Sequence, residues 1–305
     1  MSKNNYTKQV ELILQVLPEI FKKECFALKG GTAINFFIRN MPRLSVDIDL
    51  VYLPKEPREV FLQNLTASLQ ELASDIEQNL KGSKIQKTYD KGSKYLSKFV
   101  VYKDFVNIKV ETNIVLRETI LDCEVRNLCQ KAQDDFLQFS KANTMAFAEL
   151  YAGKICAALD RQHPRDIFDV KLLLENEGFT SEIRKVFVIY LASSPRPIGE
   201  LLNGKQLNIK SVFESEFFGM TGPGITYQDL VDTRAKLLQL IRNSLTENER
   251  KFLLSIKYGN PDWQLIDIPG IENFPSLKWK LLNIKKIEKA KWRQSIDDLK
   301  RVLDL

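Results

Sequence analysis

The sequence predicts an α+β protein, with a mixed αβ domain over residues 1–125 and a helical domain over residues 126–305. Three observations carry this. Short runs that alternate polar with apolar residues read as half-buried strands and are confined to the first part of the chain. Long helical stripes separate them. From Met145 through Leu174 the pattern is almost wholly helical, and it stays so for most of the remainder.

In order, Val10, Leu12, Ile13, Val16, Leu17, Ile20 and Phe21 mark a first helix over 6–21. An apolar strand over 25–28 leads into Gly30-Gly31-Thr32, which opens a short helix of Ala33, Ile34, Phe36 and Phe37. A strand over 47–53 follows, then Pro54 and Pro57, then a helix over 59–80. Strands are expected over 85–89, 99–102 and 105–115, broken by Gly82 and Gly92. Residues 219–225 and 258–275 read as loops.

The totals exclude several classes. No run approaches the roughly 20 apolar residues of a membrane helix, and the N-terminus lacks a signal-peptide core. Cys25, Cys123, Cys129 and Cys156 have neither metal-ligand spacing nor disulfide density, so a reduced, cytoplasmic protein is expected. His163 is the single histidine, which disfavours a histidine-ligated zinc or a Ser-His-Asp triad. The net charge of +6 permits a nucleic-acid partner without requiring one. No heptad seam is visible, and a monomer is expected.

The chemistry concentrates in residues 29–50. Asp47 and Asp49, two apart on a strand, point the same way and repel each other unless a cation lies between them. A hard divalent ion is the natural cation. Gly30, Gly31 and Thr32 open a helix whose free N–H groups suit a phosphate; Thr32 is either a further phosphate donor or a cap. Arg43 and Ser45 either grip a triphosphate or are surface residues before a strand. On the strand over 105–115, Lys109 and Glu111 share one face, so Glu111 is a candidate third metal ligand or simply solvated. Three such carboxylates are what a two-metal phosphoryl-transfer site needs. Later, Lys154 lies in an apolar stretch beside small residues and wants an anion, either a triphosphate or Asp166 in an ion pair between helices. Residues 278–301 hold nine Lys/Arg against three acids, with Trp279 and Trp292 among them. That face is either solvated or a place for RNA.

Gly30-Gly31-Thr32-Ala33, Arg43-x-Ser45-x-Asp47-x-Asp49, Lys109-x-Glu111, Lys154…Arg165-Asp166-x-x-Asp169 and Trp279-Lys280-Leu281-Leu282-Asn283 together resemble the AbiEii/AbiGii toxin family. The resemblance covers about residues 8–285. These are nucleotidyltransferase-like proteins of bacterial toxin–antitoxin and phage-defence systems. The resemblance implies a polymerase-β-like nucleotidyltransferase core with a mixed sheet, followed by a C-terminal helical bundle. It implies that Asp47 and Asp49 bind Mg²⁺ (or Mn²⁺) and the triphosphate, that Lys154 contacts the nucleotide phosphates, and that Asp166 is a further essential acid. Glu111 matches the third acidic position of the wider superfamily. The implied partners are an NTP, an RNA acceptor such as the tRNA 3′ end, and a cognate antitoxin. The expected reaction is Mg-dependent transfer of NMP to an acceptor hydroxyl. A phosphotransferase using the same site and a non-catalytic nucleotide- or RNA-binding module are the alternatives; a D-x-D glycosyltransferase is a weaker third.

Overall fold

The computed structural model of the chain describes residues 3–89, 93–115, 117–222 and 224–305. Gly92, read above as a strand break, and Pro223 lie outside the described residues. The chain divides into two units, Met1–Leu150 with Ser215–Gly224, and Tyr151–Glu214 with Ile225–Leu305.

The first unit is built on seven strands: β1 (Phe26–Lys29), β2 (Asp47–Tyr52), β3 (Lys84–Tyr89), β4 (Leu96–Lys103), β5 (Val106–Thr112), β6 (Glu124–Asn127) and β7 (Lys141–Thr144). They form one mixed sheet in the order β3-β4-β5-β2-β1-β7-β6. β2–β5 and β1–β7 pair in parallel, and every other neighbouring pair is antiparallel. The period-2 pattern sets the faces. Phe99, Val110 and Ile48 lie side by side across β4, β5 and β2, all fully buried. Helices α1 (Lys3–Ile20) and α3 (Arg58–Asn79) pack on each other, α1 over β5 and α3 over β4. The apolar stripe of α1 is buried as its spacing predicts. Between β1 and β2, α2 (Gly30–Ala33) opens at the glycine pair and runs on as a wider π turn over Ile34–Ile38.

The expected domain boundary at 125 falls too early. The first unit extends to Leu150 because β6, α4 (Gln130–Phe136) and β7 complete the sheet. β7 lies parallel to β1, and the Met145 N–H donates to the Leu28 carbonyl at 3.0 Å. The segment Ser215–Gly224 also joins this unit, through a 2.9 Å bond from the Leu44 N–H to the Met220 carbonyl.

The second unit is helical: α5 (Phe147–Asp160), divided from the first unit after Leu150, then α6 (Pro164–Asn176), α7 (Ser181–Ser193), α8 (Ile198–Asn203), α9 (Lys210–Val212), α10 (Tyr227–Ser244), α11 (Glu247–Tyr258), α12 (Pro275–Ile284) and α13 (Lys289–Leu303). Within it α6 packs on α10, α12 on α7, and α13 on α8 and α11. Capping boxes at Thr226/Asp229 and Thr246/Glu249 start α10 and α11. Among the described residues, no helix is long and apolar enough to cross a membrane.

Candidate active site

The residues singled out above fall into two groups, one in each unit. In the first unit the parallel register of β2 and β5 sets Asp47 beside Lys109 and Asp49 beside Glu111. Ile48, Leu50, Ile108 and Val110 are buried, so the four charged residues occupy the opposite face. The row continues on both sides, with Lys98 beside Glu111 and Lys29 beside Asp49. Two carboxylates are therefore flanked by two lysines across β4, β5, β2 and β1. The Lys109 ammonium lies 3.0 Å from the Glu111 carboxylate. Burial works against that ammonium, but Glu111, followed by Asp47 and Asp49, outweighs it and raises the Lys109 pKa.

The glycine turn closes on this face. Gly30 has φ +71°, and a Cβ there would stand 2.3 Å from Oδ2 of Asp49. On Gly31 a Cβ would meet Nη2 of Arg43 at 2.7 Å and Oγ of Ser45 at 2.9 Å. The turn thus has no side chains because the Arg43-x-Ser45-x-Asp47-x-Asp49 segment lies directly against its backbone. Arg43 and Ser45 are nearly buried. Thr32, expected as a phosphate donor or a cap, does neither. It is fully buried, and its hydroxyl donates to the Asp47 carbonyl oxygen (2.5 Å) and lies 3.0 Å from Ser45 Oγ. Thr32 positions the start of β2.

Glu111 stands in the expected row, and its carboxylate is paired with Lys109, two residues away on the same strand face. Among the described residues, no group of three or more His, Cys, Asp or Glu could hold a metal. What the sheet offers is two aspartates on one face. That donor set still fits Mg²⁺, which is commonly held by one or two carboxylates together with substrate phosphates and water.

In the second unit Lys154 on α5 is 7% exposed and reaches Asp166 at 3.0 Å and Asp169 at 3.1 Å on α6. Asp166 also takes a forked contact from Arg161, at 2.5 Å from Nε and 3.0 Å from Nη2. Burial alone would raise the Asp166 carboxyl; Lys154 and Arg161 outweigh it and hold its pKa well below the usual carboxylate range. The ion pair weighed above as one alternative is formed, and it is larger than a pair. Asp169 was visible as part of the motif but carried no assigned role, and Arg161 was not singled out. Asp169 is signalled by the spacing, since Asp166 and Asp169 are three apart on a helix and hence on one face; Arg161, in the turn before α6, is not. His163 caps α6, its Nδ1 accepting from the Arg165 N–H at 3.1 Å. Lys29 and Lys98 left no signal at all, because strand register decides their place.

A mixed sheet with a glycine turn set against two same-face aspartates defines, with the helical unit, a nucleotidyltransferase-type α+β protein. A family model described as "Nucleotidyl transferase AbiEii toxin, Type IV TA system" matches residues 12–283, and the chain belongs to that family. The chain is thus a nucleotidyltransferase of a toxin family. Among solved structures, MenT4, a nucleotidyltransferase toxin from Mycobacterium tuberculosis H37Rv, is similar in fold. It has a TM-score of 0.63 and 14% identity, with 92% of this chain and 93% of that chain covered. No curated protein matches the sequence.

Proposed function

We infer that the protein transfers a nucleotidyl group from an NTP to an acceptor hydroxyl on RNA, with the tRNA 3′ end as the acceptor that kinship favours. The observation that carries this is the closure of the glycine turn by Asp49, Arg43 and Ser45. Side-chain-free backbone beside a carboxylate pair is the arrangement that receives a metal-bound phosphate chain. Asp47 and Asp49 would hold a divalent ion, Mg²⁺ or Mn²⁺. When bound, such an ion neutralises charge on the phosphates and on the leaving group.

The chain's own residues orient the substrate. Gly30 and Gly31 let the phosphates approach the backbone, and Arg43 fixes the wall of the turn. Lys29 and Lys98 bring positive charge to the aspartate row. The acceptor oxygen attacks the α-phosphorus and the bond from that phosphorus to the β-phosphate oxygen breaks. Pyrophosphate leaves and the hydroxyl proton is released. Catalysis on this reading is mainly positioning and charge stabilisation. By kinship Lys154 serves the nucleotide phosphates and Asp166 is an essential acid. Their salt-bridge network gives both a structural role as well.

Mass spectrometry of RNA incubated with the protein and each NTP tests the reaction class. A gain of one nucleotidyl group supports the reading. A gain of one phosphoryl group instead assigns the site to phosphotransfer, and NTP binding with no product assigns it to a binding module.

A further inference from the structure

The formal charge of the whole chain is +6, from 45 Lys and Arg against 39 Asp and Glu. Residues 278–301 hold nine basic and three acidic side chains, so this one stretch carries the entire surplus and the rest of the chain is balanced. It spans most of α12, the turn after it, and most of α13. Lys285, Lys286, Lys289, Lys291 and Arg293 are all exposed, and Glu288 is the one acid between 278 and 296.

Large rings lie within this charge. Trp279 is 42% exposed. Trp292 is pinned by its indole N–H, which donates to the Lys257 carbonyl at 3.0 Å, and its ring meets Tyr258 edge-on at 6.3 Å. The apolar side of α13, formed by Ile296, Leu299 and Leu303, is buried within the unit. Insertion of α13 into a membrane interface would require that side to face outward. A phosphodiester backbone needs only the cations, and unpaired bases add stacking on the rings.

We propose that α12, α13 and the turn between them form a docking surface for the RNA phosphodiester backbone. The proposal rests on the transfer reading in one respect, that the docked RNA is the acceptor. The cations repel one another in the free protein, and an RNA backbone relieves that repulsion while releasing its own counterions.

The test measures binding of 5′-fluorescein-labelled bulk tRNA by anisotropy without NTP, across a salt series. The variants are K285E/K286E/K289E, the neutral K285Q/K286Q/K289Q, which keeps the question open to refutation if the reversal misfolds, and a control reversal at exposed positions elsewhere in the same unit, K205E/K210E/K236E. The first two should bind about tenfold or more weakly, with a log–log salt slope smaller by about 2, while the control stays within about threefold of the native protein. NTP affinity should be unchanged in all. Native binding that is absent, docking variants that bind like the native protein, or a control that weakens equally would each overturn the proposal. So would uptake of the protein by phosphatidylglycerol vesicles that the docking variants lose while RNA binding persists. Because no NTP is present, failed nucleotidyl transfer with these losses intact sinks the transfer reading and leaves the surface standing. Retained binding in the variants does the reverse.

Discussion

Oδ2 of Asp49 lies against the backbone of Gly30, at 2.3 Å from where a Cβ would sit. Gly30→Ala must therefore displace the carboxylate and also hold an L residue at φ +71°. The strain is worth about 1–2 kcal/mol. Lowered thermal stability of that size, together with lost transfer activity, is the expected result; Gly82→Ala, also at positive φ but with nothing within 4 Å, should cost stability alone.

Thr32→Val keeps the volume and removes the hydroxyl that holds the Asp47 carbonyl. It should cost about 1–2 kcal/mol in thermal unfolding and reduce transfer. Thr32→Ser should restore most of both, and a Val variant as active as the native protein would remove Thr32 from the positioning role.

Lys154→Ala leaves Asp166 and Asp169 buried without the ammonium between them. Loss of one partner of a buried pair costs about 3–5 kcal/mol. Trp263, Trp279 and Trp292 all lie in the second unit, so urea unfolding followed by tryptophan fluorescence reads this loss directly. An unchanged midpoint would show that the network does not hold α5 to α6.

Acid should act through the same network. The Asp166 pKa is depressed on folding from its ordinary 3.8, so the folded protein holds the charged form more tightly than the unfolded chain does. Its stabilising contribution is complete above about pH 4 and is lost as the pH falls through the depressed value. Fluorescence-detected stability of the second unit should fall in that range, and Asp166→Asn should flatten the dependence.

Much of this was legible in the sequence. Alternation in β2 and β5 gave the faces, so the shared face of Asp47, Asp49 and Glu111 followed from spacing. β6 and β7 were not legible. EVRN and KANT are four polar-rich residues each, and they become strands because partners pair with them. The place of Lys29 and Lys98 beside the aspartates depends on register, which a lone sequence does not carry. Thr32 read as a phosphate donor because its hydroxyl follows the glycine pair. Burial turned that hydroxyl inward to a carbonyl that is fifteen residues away in the chain.

The role of Asp47 and Asp49 in nucleotidyl transfer is read most directly from labelling of RNA. Native protein, Asp47→Asn and Asp49→Asn are each incubated with α-labelled NTP, Mg²⁺ and total bacterial RNA, and label in RNA is counted. Labelling by the native protein is expected, with a loss of about 100-fold or more in each variant and circular dichroism unchanged. Equal labelling by all three proteins would contradict that role.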